Sequence, residues 1–220
     1  MKKLPIFSLF ILIISLFCLS GCTTIIDWGK CSFYQGKKLR NSAYDVSTYI
    51  RAVTFYDQLT TSGKFVALWL SDEVRKAYVA VRALKNGETE KQIARSLENE
   101  LEENQNTITF YVLTLHQIPL LDAQGTWTLS LEIDGKQFEP LEKKMIELPS
   151  EYQLFFERYY TRFKVPYLIS FSANDANGKL LIHKNTRHIA LWFRSVTKEN
   201  ALCWNFDSNG KLLPWKYCNH

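Results

Sequence analysis

Glycine is scarce, at 9 of 220 residues. That leaves little material for glycine-rich phosphate loops or for repeats built on glycine. GxSxG, HExxH and Walker motifs are missing, so the common local signatures of α/β-hydrolases, zinc proteases and nucleotide-binding enzymes are absent. None of the five cysteines forms a CxxC pair, which removes support for a redox or zinc-ribbon role. Strong charge of one sign is lacking too. Lys and Arg number 27 against 22 Asp and Glu, and Lys37, Lys38 and Arg40 make the densest basic cluster. Nucleic-acid binding needs a denser basic stripe, so that class is set aside.

What is present is ordinary in proportion and rich in aromatics. Apolar residues make up 46% and charged residues 22%, which excludes global disorder and rod-like architectures. The 14 Phe, 11 Tyr and 6 Trp can build a substantial core. The length suits one domain.

The first segment reads as an address. Lys2 and Lys3 precede an almost wholly apolar run from Leu4 to Leu19, which ends in small residues before Cys22. This is the layout of a secretory leader. The run is shorter than the roughly 20 residues a spanning helix needs. Leu19-Ser20-Gly21-Cys22 resembles the lipobox of bacterial lipoproteins. The resemblance implies cleavage before Cys22, diacylation of its thiol and an acylated new N-terminus. Each buried methylene adds about 0.8 kcal/mol, so two or three acyl chains hold such a domain on a membrane. In that class Asp after the cysteine favours inner-membrane retention. Thr23 stands there, which implies an outer-membrane lipid anchor facing the periplasm. Loss of residues 1–21 removes two lysines and lowers the charge from +5 to +3.

Cys31, Cys203 and Cys218 then remain for an oxidising compartment, enough for one disulfide and one spare thiol. Cys31–Cys218 would clamp the two ends of the mature domain. Cys203–Cys218 would require the tail to fold back past the turn at Asp207-Ser208-Asn209-Gly210. Spacing leaves the connectivity open.

Residues 1–21 are thus expected to be a signal peptide, 22–43 a lipidated tether and 44–220 one α+β domain, helical over 44–103 and β-rich over 107–220. Val46, Tyr49, Ile50, Val53 and Tyr56 repeat at helical spacing, predicting a helix over 44–61 that Ser62-Gly63 stops. Phe65–Leu70 is too short and too apolar to assign by period. Ser71 with Asp72 and Glu73 starts a helix that Asn86-Gly87 ends. Thr89 with Gln92 forms a capping box for the next, Glu90–Glu103.

Thr107–Leu115 reads as a central strand. Residues 127–133 alternate, and Asp134-Gly135 turns them into 136–139. Val165, Tyr167, Ile169 and Phe171 alternate again. Hairpins are predicted for 180–183 with 189–194, and for 201–206 with 211–215. Ser150 and Gln153 form a second capping box, opening a helix with Tyr152, Phe155, Phe156, Tyr159, Tyr160 and Phe163 on one face. Helices packed on an antiparallel β-sandwich-like sheet, with this aromatic helix between strands, is the expected fold. No internal repeat stands out.

Candidate chemistry is thin. His183 and His188 would face each other across a four-residue turn, but a third metal ligand is not evident. Asn174–Gly178 is oxygen-rich, yet Asn185 stands where a calcium loop needs Glu, so a plain turn is expected. Arg158 and Arg162 sit i,i+4 on the aromatic helix, as a polar face or an anion contact. No metal, cofactor or catalytic residue is assigned, and no enzyme is expected. The expected function is a lipid-anchored module binding an envelope protein partner, alternatively an accessory lipoprotein of an envelope or secretion machine, or an envelope hydrolase. Changing Cys22 to Ser is expected to release the protein from the membrane fraction. A membrane-bound, uncleaved Cys22→Ser product would contradict the lipobox reading.

Overall fold

The computed structural model describes residues 45–57, 60–115, 118, 120–121 and 127–214. All six residues from Phe65 to Leu70 are buried. A strand sends alternate side chains to opposite faces, so this run needs cover on both sides. All of it but Leu70 lies in β2 (Thr60–Trp69), between β1 (Ile50–Asp57) and β3 (Thr107–Leu115), antiparallel to both. β7 (Lys164–Ser172) and β6 (Glu142–Met145) complete a five-stranded sheet of order β1-β2-β3-β7-β6. A second antiparallel sheet has the order β5-β4-β8-β9, built from β4 (Thr128–Ile133), β5 (Lys136–Phe138), β8 (His188–Arg194) and β9 (Glu199–Asn205).

The two sheets share one core. Phe65, Phe110 and Ile169 of the first meet Leu131, Leu191, Phe193 and Trp204 of the second. Phe65 stacks on Phe193 with ring centroids 4.3 Å apart. α1 (Asp72–Asn86) starts at Ser71, whose Oγ accepts from the Val74 N–H, and ends at Gly87 with φ 65°. α2 (Glu90–Asn106) starts on the Thr89–Gln92 capping box. α3 (Ser150–Phe156) places Tyr152 flat on Tyr78 of α1 at 4.4 Å and edge-on to Tyr111 of β3 at 4.8 Å. The chain is α+β, with two antiparallel sheets, and Val46–His220 forms one compact unit.

Open sheet edges invite unwanted pairing, and each edge here has a guard. Arg51 lies on the inner face of β1 with Val53 and Phe55 and is 2% exposed. Its Nε donates to the Cys203 carbonyl of β9 at 2.8 Å, and Nη1 donates to the carbonyls of Thr48 and Ile50. Its guanidinium sits 5.8 Å from the centre of the Trp204 ring, whose Nε1–H donates to the Tyr49 carbonyl at 3.0 Å. These bonds join the β1 and β9 edges. Arg51 has no carboxylate partner among the described residues, and burial pushes its pKa down to about 10. The β6 edge carries Glu142, Lys143 and Lys144, and β5 is only three residues long.

Four expectations need correction. Residues 50–57 and 60–69 are strands, not a helix over 44–61, so the helical part spans 72–106 rather than 44–103. The apolar spacing fitted both periods, and pairing with β2 decided it. Gly63 lies inside β2 because a Cβ there would sit 3.1 Å from a Trp127 ring atom. The aromatic helix stops at Phe156, since Glu157 turns to φ 46°, and Phe163 is 63% exposed. Its second capping box does not form either: the Gln153 amide donates to the Leu148 carbonyl at 2.7 Å. The segment 180–183 makes no hairpin with β8, which pairs with β4 and β9 instead. Leu180 and Leu212 make single bridges, to Asn174 and Phe206.

Phe156 is fully buried and Leu154, two residues earlier, is 54% exposed. Phe156→Ala is expected to cost about 3–5 kcal/mol in urea unfolding, and Leu154→Ala less than about 0.5 kcal/mol. Equal costs would contradict this placement of α3.

Candidate functional site

A seven-residue pattern occurs twice, as Asp175-Ala176-Asn177-Gly178-Lys179-Leu180-Leu181 and Asp207-Ser208-Asn209-Gly210-Lys211-Leu212-Leu213. The expectation of no internal repeat missed it. Both copies fold alike. Each Asp carboxylate accepts from the backbone N–H groups two and four residues on, at 2.8–2.9 Å. Each glycine takes φ 75°, where other residues are strained. One copy follows β7 and the other β9, so each sheet ends in the same turn. The oxygen-rich 174–178 segment is therefore a plain turn, as expected. The N–H groups of Lys179 and Asn177 hold the Asp175 carboxyl below its ordinary range.

The two turns flank a cavity of about 500 Å³. Trp69, Ile108, Ala173, Leu180, Ile182 and Phe206 give it apolar walls. Its polar lining comes from four places: Asp72 and Glu73 at the start of α1, Asn104 and Gln105 at the end of α2, the turn at His183 and Lys184, and Asn209. Asp72 accepts from the Asn104 amide at 2.7 Å, and the Asn104 oxygen accepts from Arg75 Nε at 2.6 Å. This chain of bonds ties the two helix ends together. The side-chain amides of Gln105 and Asn209 make no hydrogen bond among the described residues, though the backbone of each does. Among the described residues Lys184 is the sole Lys or Arg of the lining, against the two carboxylates of Asp72 and Glu73. Such a lining disfavours an anion and suits a neutral or basic group with an apolar part.

A second, smaller cavity of about 80 Å³ lies among Arg75, Tyr78, Tyr111 and Tyr152. Arg75 is 2% exposed, and its Nη1 meets Glu100 at 2.6 Å and Glu103 at 2.9 Å. Burial opposes its charge, but Glu103 and Glu100 outweigh burial and hold its pKa above the ordinary value. Nη2 is buried with no hydrogen-bond partner among the described residues. A polar space of this size holds two or three water molecules at roughly 30 Å³ each.

Of the residues singled out from sequence, Cys22, Cys31 and Cys218 lie outside the described residues, as does the leader. Cys203 is buried and disulfide-bonded. His183 and His188 hold separate partners. His183 Nδ1 accepts from the Asn185 N–H at 3.2 Å, and His188 Nδ1 lies 2.6 Å from Asn205 Oδ1. Among the described residues no three His, Cys, Asp or Glu side chains group as metal ligands, and no helix is long and apolar enough to cross a membrane. The cavity itself escaped the sequence reading, because helix ends and turns distant in the chain build it. The repeated turn was its one visible signal.

No family model, no curated protein and no solved structure matches the chain.

The Asp175 carboxyl is expected to titrate below the ordinary aspartate range when followed by carbon-detected NMR. A group with a depressed native pKa stabilises the fold above its unfolded pKa and loses that contribution as pH falls through the native value. Asp175→Asn should therefore reduce the acid-side loss of stability. An ordinary titration midpoint would contradict the turn geometry.

Proposed function

We propose that this protein is a lipid-anchored binding module of the bacterial cell envelope. Acyl chains on Cys22 hold it to the outer membrane from the periplasmic side. The three helices cover the outer face of the five-stranded sheet, and the sandwich is the scaffold that carries the site. The cavity beside the two Asp-x-Asn-Gly-Lys turns is a socket for a segment of an envelope protein. One observation carries this reading: apolar walls of Trp69, Ile108 and Phe206 share one cavity with Gln105 and Asn209, whose side-chain amides have no partner among the described residues. A side-chain amide both donates and accepts, and so matches the carbonyl and N–H of a peptide backbone. The apolar walls take one side chain of the partner. Asp72 and Glu73 select against acidic neighbours.

Selection of random peptides displayed on phage against the purified full chain tests this. Enriched sequences are expected to hold a large apolar residue flanked by neutral or basic ones. Gln105→Ala with Asn209→Ala, both at exposed positions, should weaken the selected peptides about tenfold or more through two lost hydrogen bonds. An absence of enrichment, or full binding by the double variant, would contradict the socket.

A further inference from the structure

Among the described residues, the end of the five-stranded sheet away from the cavity carries four cations and little countercharge. In β2, Lys64 precedes Phe65, which pairs with Thr114, and the next residue of β3, Leu115, pairs with Lys164 at the start of β7. The two lysines thus flank Leu115 on adjacent strands, about 10 Å apart at the backbone. Both are half-buried. Burial and then the charge of Lys64 push the Lys164 pKa down to about 8. The segment before Lys164 adds Arg158 and Arg162, both exposed.

The side chains of Lys64, Arg162 and Lys164 make no hydrogen bond or ion pair among the described residues. Arg158 has one long contact, 3.5 Å, to the Tyr159 hydroxyl, and Glu157 is the carboxylate that acts on it. The cations lie over aromatic rings instead. Arg158 is 5.3 Å and Lys164 5.9 Å from the Tyr159 centroid, and Arg162 is 4.8 Å from that of Phe163. Phe163 itself points largely into solvent. Four cations gathered around one carboxylate, Glu157, cost free energy that an anionic partner returns. An exposed ring with Lys and Arg in the same segment is the composition that settles at the headgroup level of a bilayer.

We propose that the Lys64, Arg158, Tyr159, Arg162, Phe163 and Lys164 surface docks on the anionic phospholipid headgroups of a bilayer. The four cations meet headgroup phosphates, and Phe163 enters the boundary with the acyl chains. Each cation near an anionic surface contributes modestly, so the contact orients the domain rather than anchoring it. β3 runs eight residue steps from Thr107, which lines the cavity, to Leu115, between the two lysines. That separation is about 27 Å, so docking here turns the cavity mouth away from the lipid. The docking does not depend on the identity of the cavity's occupant, nor on acylation of Cys22.

Amide hydrogen exchange on the full chain, reconstituted in vesicles, tests the proposal. Phosphatidylcholine vesicles are compared with vesicles holding about one-third phosphatidylglycerol. Exchange over residues 157–164 is expected to slow about tenfold in the anionic vesicles, and to recover at high salt as screening shortens the electrostatic reach. Arg158→Glu with Arg162→Glu should abolish the slowing while amides of Phe65–Leu70 keep their protection. Lys64→Glu with Lys164→Glu should do the same. Equal exchange in both vesicle types would overturn the proposal, as would slowing that survives both double variants. Equal slowing by soluble polyphosphate added to phosphatidylcholine vesicles would also overturn it, by showing an anion site in place of a bilayer-docking surface.

Discussion

Five consecutive buried residues of β2, Phe65 to Trp69, and Leu70 just after them leave this interior strand no face for water. Two-sided burial is the constraint from which the rest follows. Alternate side chains of the run enter the core shared with the second sheet, where Phe65 meets Phe193. The others need cover of a different kind. On that side Tyr152 of α3 meets Tyr111 of β3, and Arg75 and Tyr78 of α1 line a small cavity with Leu70, Thr109 and Leu168. A strand with one wet face would have needed no such partners.

With faces and edges occupied, the strand ends become the free places. The β1 and β9 edges are joined through Arg51, a buried cation satisfied by carbonyls and a ring instead of a carboxylate. Such a group is costly to bury, and its bonds to both sheets give a reason for keeping it. At one end of the five-stranded sheet, helix termini and repeated turns leave a cavity with acidic and amide lining. At the other, cations gather around exposed rings. The two ends differ in charge as two different partners would require.

Much of this was legible in the sequence, and the misses have physical causes. The helix signals at Ser71, Gly87 and Thr89 with Gln92 were local: a cap and a glycine act on neighbours a few residues away, so they read correctly. The alternation over 127–133 and 165–171 was equally local. Residues 44–61 misled because their apolar residues satisfy a period of 3.6 and of 2 together, and only the long-range demand of β2 for a neighbour settles the choice. The aromatic run after Ser150 misled because a single residue at positive φ, Glu157, ends the helix without glycine or proline to announce it. Arg51 gave no warning at all. A buried arginine is recognisable only when the carbonyls that hold it, more than a hundred residues apart, are brought together.

The central claim is that the two ends of the sandwich face different surroundings, protein at the cavity and lipid at the cationic patch. A photoreactive residue placed at Asn209 in one strain and at Arg162 in another, activated in growing cells, measures this directly. The account predicts protein adducts at Asn209 and lipid adducts at Arg162. Lipid captured at Asn209, or protein captured at Arg162, would contradict it.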